Sequence, residues 1–103
     1  MDTVDVDAIA EEFFDLLRSG RERPRLTEAW AGLDLPAAYR IADGVRQRRV
    51  LRGDRWAGRK IGFTNHHMWA AYDVKAPIWG PMYDSSIQQR AGGPLDLRGF
   101  PNP

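Results

Sequence analysis

A chain of 103 residues, 43% hydrophobic and 11% aromatic, suits one small globular domain with a modest core rather than a disordered segment. Its formal charge of +1 gives no long-range field to draw in nucleic acid or an anionic membrane. The absence of cysteine excludes disulfide frameworks, thiolate metal sites and thiol nucleophiles, and no apolar run approaches the ~20 residues of a membrane span.

The acidic opening, Met1-Asp2-Thr3-Val4-Asp5, lacks the basic start of a secretory signal, which predicts a cytoplasmic protein. Residues 7–19 read as an amphipathic helix. Asp7 is its N-cap, Ile9, Phe13, Leu16 and Leu17 recur at helical spacing, and Gly20 ends it. Glu11, Glu12 and Asp15 read as a solvated face. A charged, Pro-containing connector follows over 21–34, with Leu26, Trp30 and Leu33 pinning it to the core. The second helix is predicted over 35–52. Pro36 is tolerated in its first turn, Gly53 stops it, and Leu35, Ala38, Ala42 and Val45 form its stripe, which can extend to Arg49, with Tyr39 and Ile41 beside it.

A strand over 55–63 contains Gly58-Arg59-Lys60-Ile61-Gly62. Strand side chains alternate, so Gly58, Lys60 and Gly62 share one face. Lys60, one of only two lysines, then stands on a face cleared of bulk. It reads either as an ordinary exposed strand lysine or as an anion site. Thr64-Asn65 lead into a short third helix over 65–72, ended by Pro77. Short strands are expected at 78–79 and 82–87, around Gly80-Pro81, and one more near Leu95 to Leu97. His66 and His67 are adjacent on their helix, about 100° apart, so they do not face one metal. The arginines at 46, 48, 49, 52, 55 and 59 are interrupted by acids and read as a solvated helix face or a subunit contact, not a nucleic-acid footprint. Four tryptophans in so short a chain suggest either its own core and rim or apolar surface that seeks a partner.

Three blocks carry a resemblance: Ala38-Tyr39-Arg40-Ile41-Ala42, then Gly58-Arg59-Lys60-Ile61-Gly62-Phe63-Thr64, then Tyr72-Asp73-Val74 with Pro77 and Trp79-Gly80-Pro81-Met82. In order and spacing the chain resembles the 2-keto-4-pentenoate hydratase family and its sister 4-oxalocrotonate decarboxylases, of the wider fumarylacetoacetate hydrolase superfamily. The resemblance implies an α+β fold, with N-terminal helices packed on a small β-sheet that includes 55–63, as one N-terminal domain beside a β-rich catalytic domain.

It also implies a cytoplasmic, oligomeric lyase of aromatic-compound catabolism that ketonises a 2-hydroxydienoate and then adds water to the conjugated bond. The cofactor would be Mg²⁺ or Mn²⁺ as Lewis acid. Lys60 matches the family's active-site lysine and would be the catalytic residue, with Thr64, Gly80 and Met82 shaping the substrate pocket. The partners implied are a small 2-keto or 2-hydroxydienoic acid and either another copy or a complementary chain, with no nucleic acid and no membrane. Two departures stand out. Lys75 and Ile78 occupy places where the family often carries acids, which bears on hydration versus decarboxylation. The family's metal-binding glutamates fall beyond Pro103, so no metal ligand is expected in this chain, and the chain alone is expected to be inactive. The alternatives are a non-catalytic or split subunit that buries Trp56, Trp69 and Trp79 against a complementary chain, and a decarboxylase or C–C hydrolase of the same superfamily.

Overall fold

The structure, a computed structural model, describes residues 3–89 and 92–98. It is α+β, with helices followed by a two-stranded antiparallel sheet. The helices are α1 (Val6–Ser19), α2 (Leu26–Ala29) and α3 (Leu35–Arg52); the strands are β1 (Trp56–Gly62) and β2 (Ile78–Tyr83). Single 3-10 turns occupy His66–Met68 and Asp84–Ser86. The chain divides into two compact units, a helical one that reaches Gly53 and includes the described residues from Gln89 onward, and a hairpin unit, Asp54–Gln88. No described helix is long and apolar enough to cross a membrane.

In the helical unit each main helix is fixed by its ends. Asp5, rather than Asp7, caps α1, its carboxylate accepting from the Ala8 N–H at 3.0 Å. Asp7 instead binds the Arg48 guanidinium of α3 at 2.9 Å. The Asp34 carboxylate accepts from the Ala37 N–H at 2.9 Å, and Gly20 and Gly53 close α1 and α3 in the left-handed conformation. The connector contributes α2, and Leu26, Trp30 and Leu33 pack against the core. Arg23 reaches back to Glu12 of α1 at 3.1 Å.

The core is small: Ile9 and Ala10 of α1 meet Ile41 of α3, flanked by Val4, Val6, Phe13 and Val45. The buried stripe of α3 therefore runs through Ala37 and Ile41, not through Leu35, which is 56% exposed. The cause is Gly44. A Cβ there would lie 2.7 Å from the Ala10 Cβ, so the bare backbone at Gly44 lets α1 close on this side of α3. A residue without a side chain gives no apolar signal, and the periodicity points to the neighbouring stripe.

On the exposed side of α3, Asp43 accepts from Arg46 and Gln47, each at 2.9 Å. The Arg46 hydrogen bond holds the Asp43 carboxyl below its ordinary value. A depressed carboxylate stabilises above its unfolded value and loses that contribution as pH falls through the folded one. Asp43→Asn should therefore lower the melting temperature slightly at neutral pH and not at all once both chains are acidified below the carboxylate range. A difference that persists in acid would contradict this origin.

Two sequence expectations are corrected in the hairpin unit. The segment 65–72 is not a helix but one 3-10 turn followed by further turns. The Asn65 side chain accepts from the His67 N–H at 3.1 Å, the Trp69 indole N–H donates to the Phe63 carbonyl at 2.8 Å, and Asp73 turns the chain with φ +51°. The indole tie folds the segment back before a second helical turn can form. Likewise 78–79 and 82–87 are not two strands. β2 runs unbroken through Gly80-Pro81 and stops at Tyr83, where the Ser86 hydroxyl donates to the Tyr83 carbonyl at 3.0 Å. Pro81 fits because a two-stranded sheet leaves every strand an open edge, where a missing N–H costs little. Residues 95–97 form no strand.

Candidate functional site

β1 and β2 pair antiparallel, with Gly58 opposite Met82, Lys60 opposite Gly80 and Gly62 opposite Ile78. Directly opposed residues share a face, so one face carries Gly58, Lys60 and Gly62 on β1 and Ile78, Gly80 and Met82 on β2. Lys60 thus has glycine on both sides along its strand and glycine across from it. A Cβ added at Gly58 or Gly80 would meet nothing within 4 Å, and one at Gly62 would touch only the Ile78 side chain, at 3.6 Å. Ile78 and Met82, both half-buried, flank Gly80 at roughly 7 Å, two strand residues away on either side. An exposed ammonium in a bare strip between two apolar shoulders can receive a carboxylate or enolate oxygen and lay a short carbon chain along the strip. Ile78, where acids often stand in the resembled family, makes one shoulder apolar.

The strip ends at Phe63, which has φ +54°, a region that a bulky side chain seldom enters. Strained residues of this kind gather at binding sites. Phe63 is held by the Trp69 indole and packs edge-on against Tyr72 at 5.4 Å. Thr64, exposed, follows directly. His66 stacks on Trp69 at 4.6 Å between ring centres. The hairpin therefore brings Lys60, Gly80 and Met82 onto one face; Thr64 lies beyond the end of β1 and is not part of the paired strip.

The opposite face holds what sequence reasoning missed. Arg59, counted there among the arginines of a solvated patch, lies over the rings of Trp56 and Trp79, at 5.0 and 4.7 Å. Three others of that patch make local contacts: Arg46 with Asp43, Arg48 with Asp7, Arg52 over the Phe14 ring. A sequence signal for the Arg59 stack existed only as two tryptophans whose pairing depends on the hairpin register. Among the described residues, no three of His, Asp and Glu stand close enough to hold a metal ion.

No protein-family model matches the chain. A 4-oxalocrotonate decarboxylase of Pseudomonas sp is 31% identical over 98 residues, 95% of this chain and 38% of the relative. The 2-keto-4-pentenoate hydratase of Paraburkholderia xenovorans (strain LB400) is 29% identical over 75 residues, 73% of this chain and 28% of the relative. The solved 4-oxalocrotonate decarboxylase from Pseudomonas putida G7, complexed with calcium and acetate, superposes with a TM-score of 0.75 at 25% identity, over 82% of this chain and 34% of that one. The same enzyme is also solved with magnesium and adipate. The chain spans about a third of the length of the curated relatives it matches. By these likenesses the chain is similar to an N-terminal part of the 2-keto-4-pentenoate hydratase / 4-oxalocrotonate decarboxylase family.

Proposed function

We propose that this chain supplies the lysine-bearing part of a 2-keto acid lyase site. The observation that carries the reading is Lys60 opposite Gly80 on a glycine-cleared face. Its ammonium would pair with the carboxylate of a 2-keto or 2-hydroxydienoic acid and stabilise negative charge as it develops on the neighbouring oxygen. Ile78 and Met82 would hold the carbon chain, and Thr64, beyond the end of β1, would border the pocket. Solved relatives carry calcium or magnesium; among the described residues here no three His, Asp or Glu gather to hold such an ion by themselves. The part assigned to this chain is charge and shape.

Between the family's two reactions, decarboxylation has the longer match, 98 residues against 75. Both start from a 2-keto acid or its enol, so the role of Lys60 is common to them. The whole reaction, its aromatic-catabolic setting and any assembly with a second chain belong to the same proposal.

The test is amide NMR of the purified chain titrated with 2-oxopentanoate. Weak binding is expected, with shifts confined to 58–62 and 78–82. Lys60→Met should weaken it roughly tenfold or more, the scale of a hydrogen bond to a charged group at ~1.5–3 kcal/mol. With Mg²⁺ and 2-hydroxypenta-2,4-dienoate the chain alone should show no turnover. Shifts that map elsewhere, or that survive Lys60→Met, would remove Lys60 from the reading.

A further inference from the structure

We infer that Arg59 is a positioning residue: its stack between Trp56 and Trp79 sets the hairpin register that places Lys60 opposite Gly80. This rests on the Lys60 reading for its consequence in binding, but not for the register itself.

The strip that makes Lys60 accessible also weakens the sheet. A two-stranded ribbon is marginal by itself. Glycines at 58, 62 and 80 give it no side-chain packing on the Lys60 face, and such strands slip easily. A slip of one residue would set Trp79 or Pro81, not Gly80, across from Lys60. It would fill the bare strip with an indole or a pyrrolidine ring. Something on the other face must forbid it.

That face carries Arg59 and Ile61 on β1, and Trp79, Pro81 and Tyr83 on β2, by alternation from the paired residues. By simple alternation Trp56 would fall on the Lys60 face. It does not, because the register shifts between Trp56 and Gly58: Trp56 opposes Tyr83 while Gly58 opposes Met82, so Ala57 is an extra residue. Gly58 takes φ +144° to allow it. A bulge re-aims the side chains beside it. Here it moves Trp56 to the Arg59 face, so that the guanidinium has an indole on each strand, at 5.0 and 4.7 Å. Trp56 is on the same strand as Arg59, and Trp79 is diagonal to it across the pair. A one-residue slip would carry Trp79 to the Lys60 face, out of reach of the guanidinium.

The stack is exposed. Trp56 and Trp79 keep 42% and 39% of their surface, so it contributes little to a core, and its value lies in specifying the pairing. Arg59 neighbours Lys60 in the chain yet points the other way. It acts on the site only through the strand.

The test uses the chain with Arg59→Ala and Arg59→Lys. The first readout needs no ligand: the cross-strand backbone NOE between Lys60 and Gly80. It should be strong in the parent chain, lost or split among registers in Arg59→Ala, and partly recovered in Arg59→Lys, which keeps the charge but not the plane. The helical signal of α1 and α3 should not change. The second readout is 2-oxopentanoate affinity, expected to fall about tenfold in Arg59→Ala and to recover in part in Arg59→Lys. If Arg59→Ala keeps the single NOE pattern and the parent affinity, the inference is overturned and the Lys60 reading stands. If the NOE is lost but the parent chain itself binds no 2-keto acid, the Lys60 reading falls while the role of Arg59 in the register stands.

Discussion

Gly44→Leu is expected to unfold the helical unit, and Gly44→Ala to destabilise it by about 1–2 kcal/mol. The smaller change is the more informative because two effects oppose. Alanine in place of glycine inside a helix gains up to ~1 kcal/mol in propensity. Against it stands the new Cβ, 2.7 Å from the Ala10 Cβ. Both atoms sit directly on helix backbone, and Ala10 is fully buried, so no flexible end can swing aside. Overpacking of this kind costs ~1–3 kcal/mol, and moving the helices apart would also loosen Ile9 against Ile41. The clash wins. Ala10→Gly in the Gly44→Ala background should restore part of the loss, because it removes the other half of the contact. Urea denaturation followed by circular dichroism measures all three. A Gly44→Ala chain more stable than its parent would show that the helices do not cross so closely.

Gly80→Leu should do the reverse: keep the fold and remove binding. A Cβ at Gly80 meets nothing within 4 Å, and the residue has no positive φ that would strain a side chain. Leucine should also add β-propensity, so the melting temperature should hold or rise slightly. The new side chain, however, stands across from Lys60 between Ile78 and Met82. It fills the strip that a 2-keto acid would occupy. Affinity for 2-oxopentanoate should fall at least about tenfold, the scale of losing one charge-assisted contact. Unchanged affinity would mean that the ligand lies elsewhere, and a large drop in stability would mean that the strip is packed rather than open.

Helix ends were the most legible part of the sequence, because their chemistry is local. Gly20 and Gly53 act where they stand. Asp5 was passed over for Asp7, since both are good caps and only the tertiary partner Arg48 distinguishes them. On α3, Val45 packs on the core as its spacing predicts, but the stripe is displaced from Leu35 to Ala37 and Ile41, because Gly44 contributes by having nothing to count. The segment after β1 was misread as a helix because its decisive bond, from the Trp69 indole to the Phe63 carbonyl, is made by a side chain that reads as apolar. In the candidate site, alternation alone put Gly58, Lys60 and Gly62 on one face. That Gly80 lies across from Lys60 could not be read, because the strands are separated by a long connection whose length fixes no register. Arg59 was hidden among other arginines for the same reason.

From Gly58 onward the hairpin obeys a parity rule: even-numbered residues of both strands lie on the lysine side, odd-numbered ones on the tryptophan side. Sequence change in this stretch is therefore sorted by arithmetic. An even-numbered substitution alters what can bind, and an odd-numbered one alters whether the strands stay aligned. Lengthening the connection between the strands leaves both sets intact. A single inserted residue inside either strand would exchange the two roles beyond it, unless a second bulge like that at Ala57 restored the count.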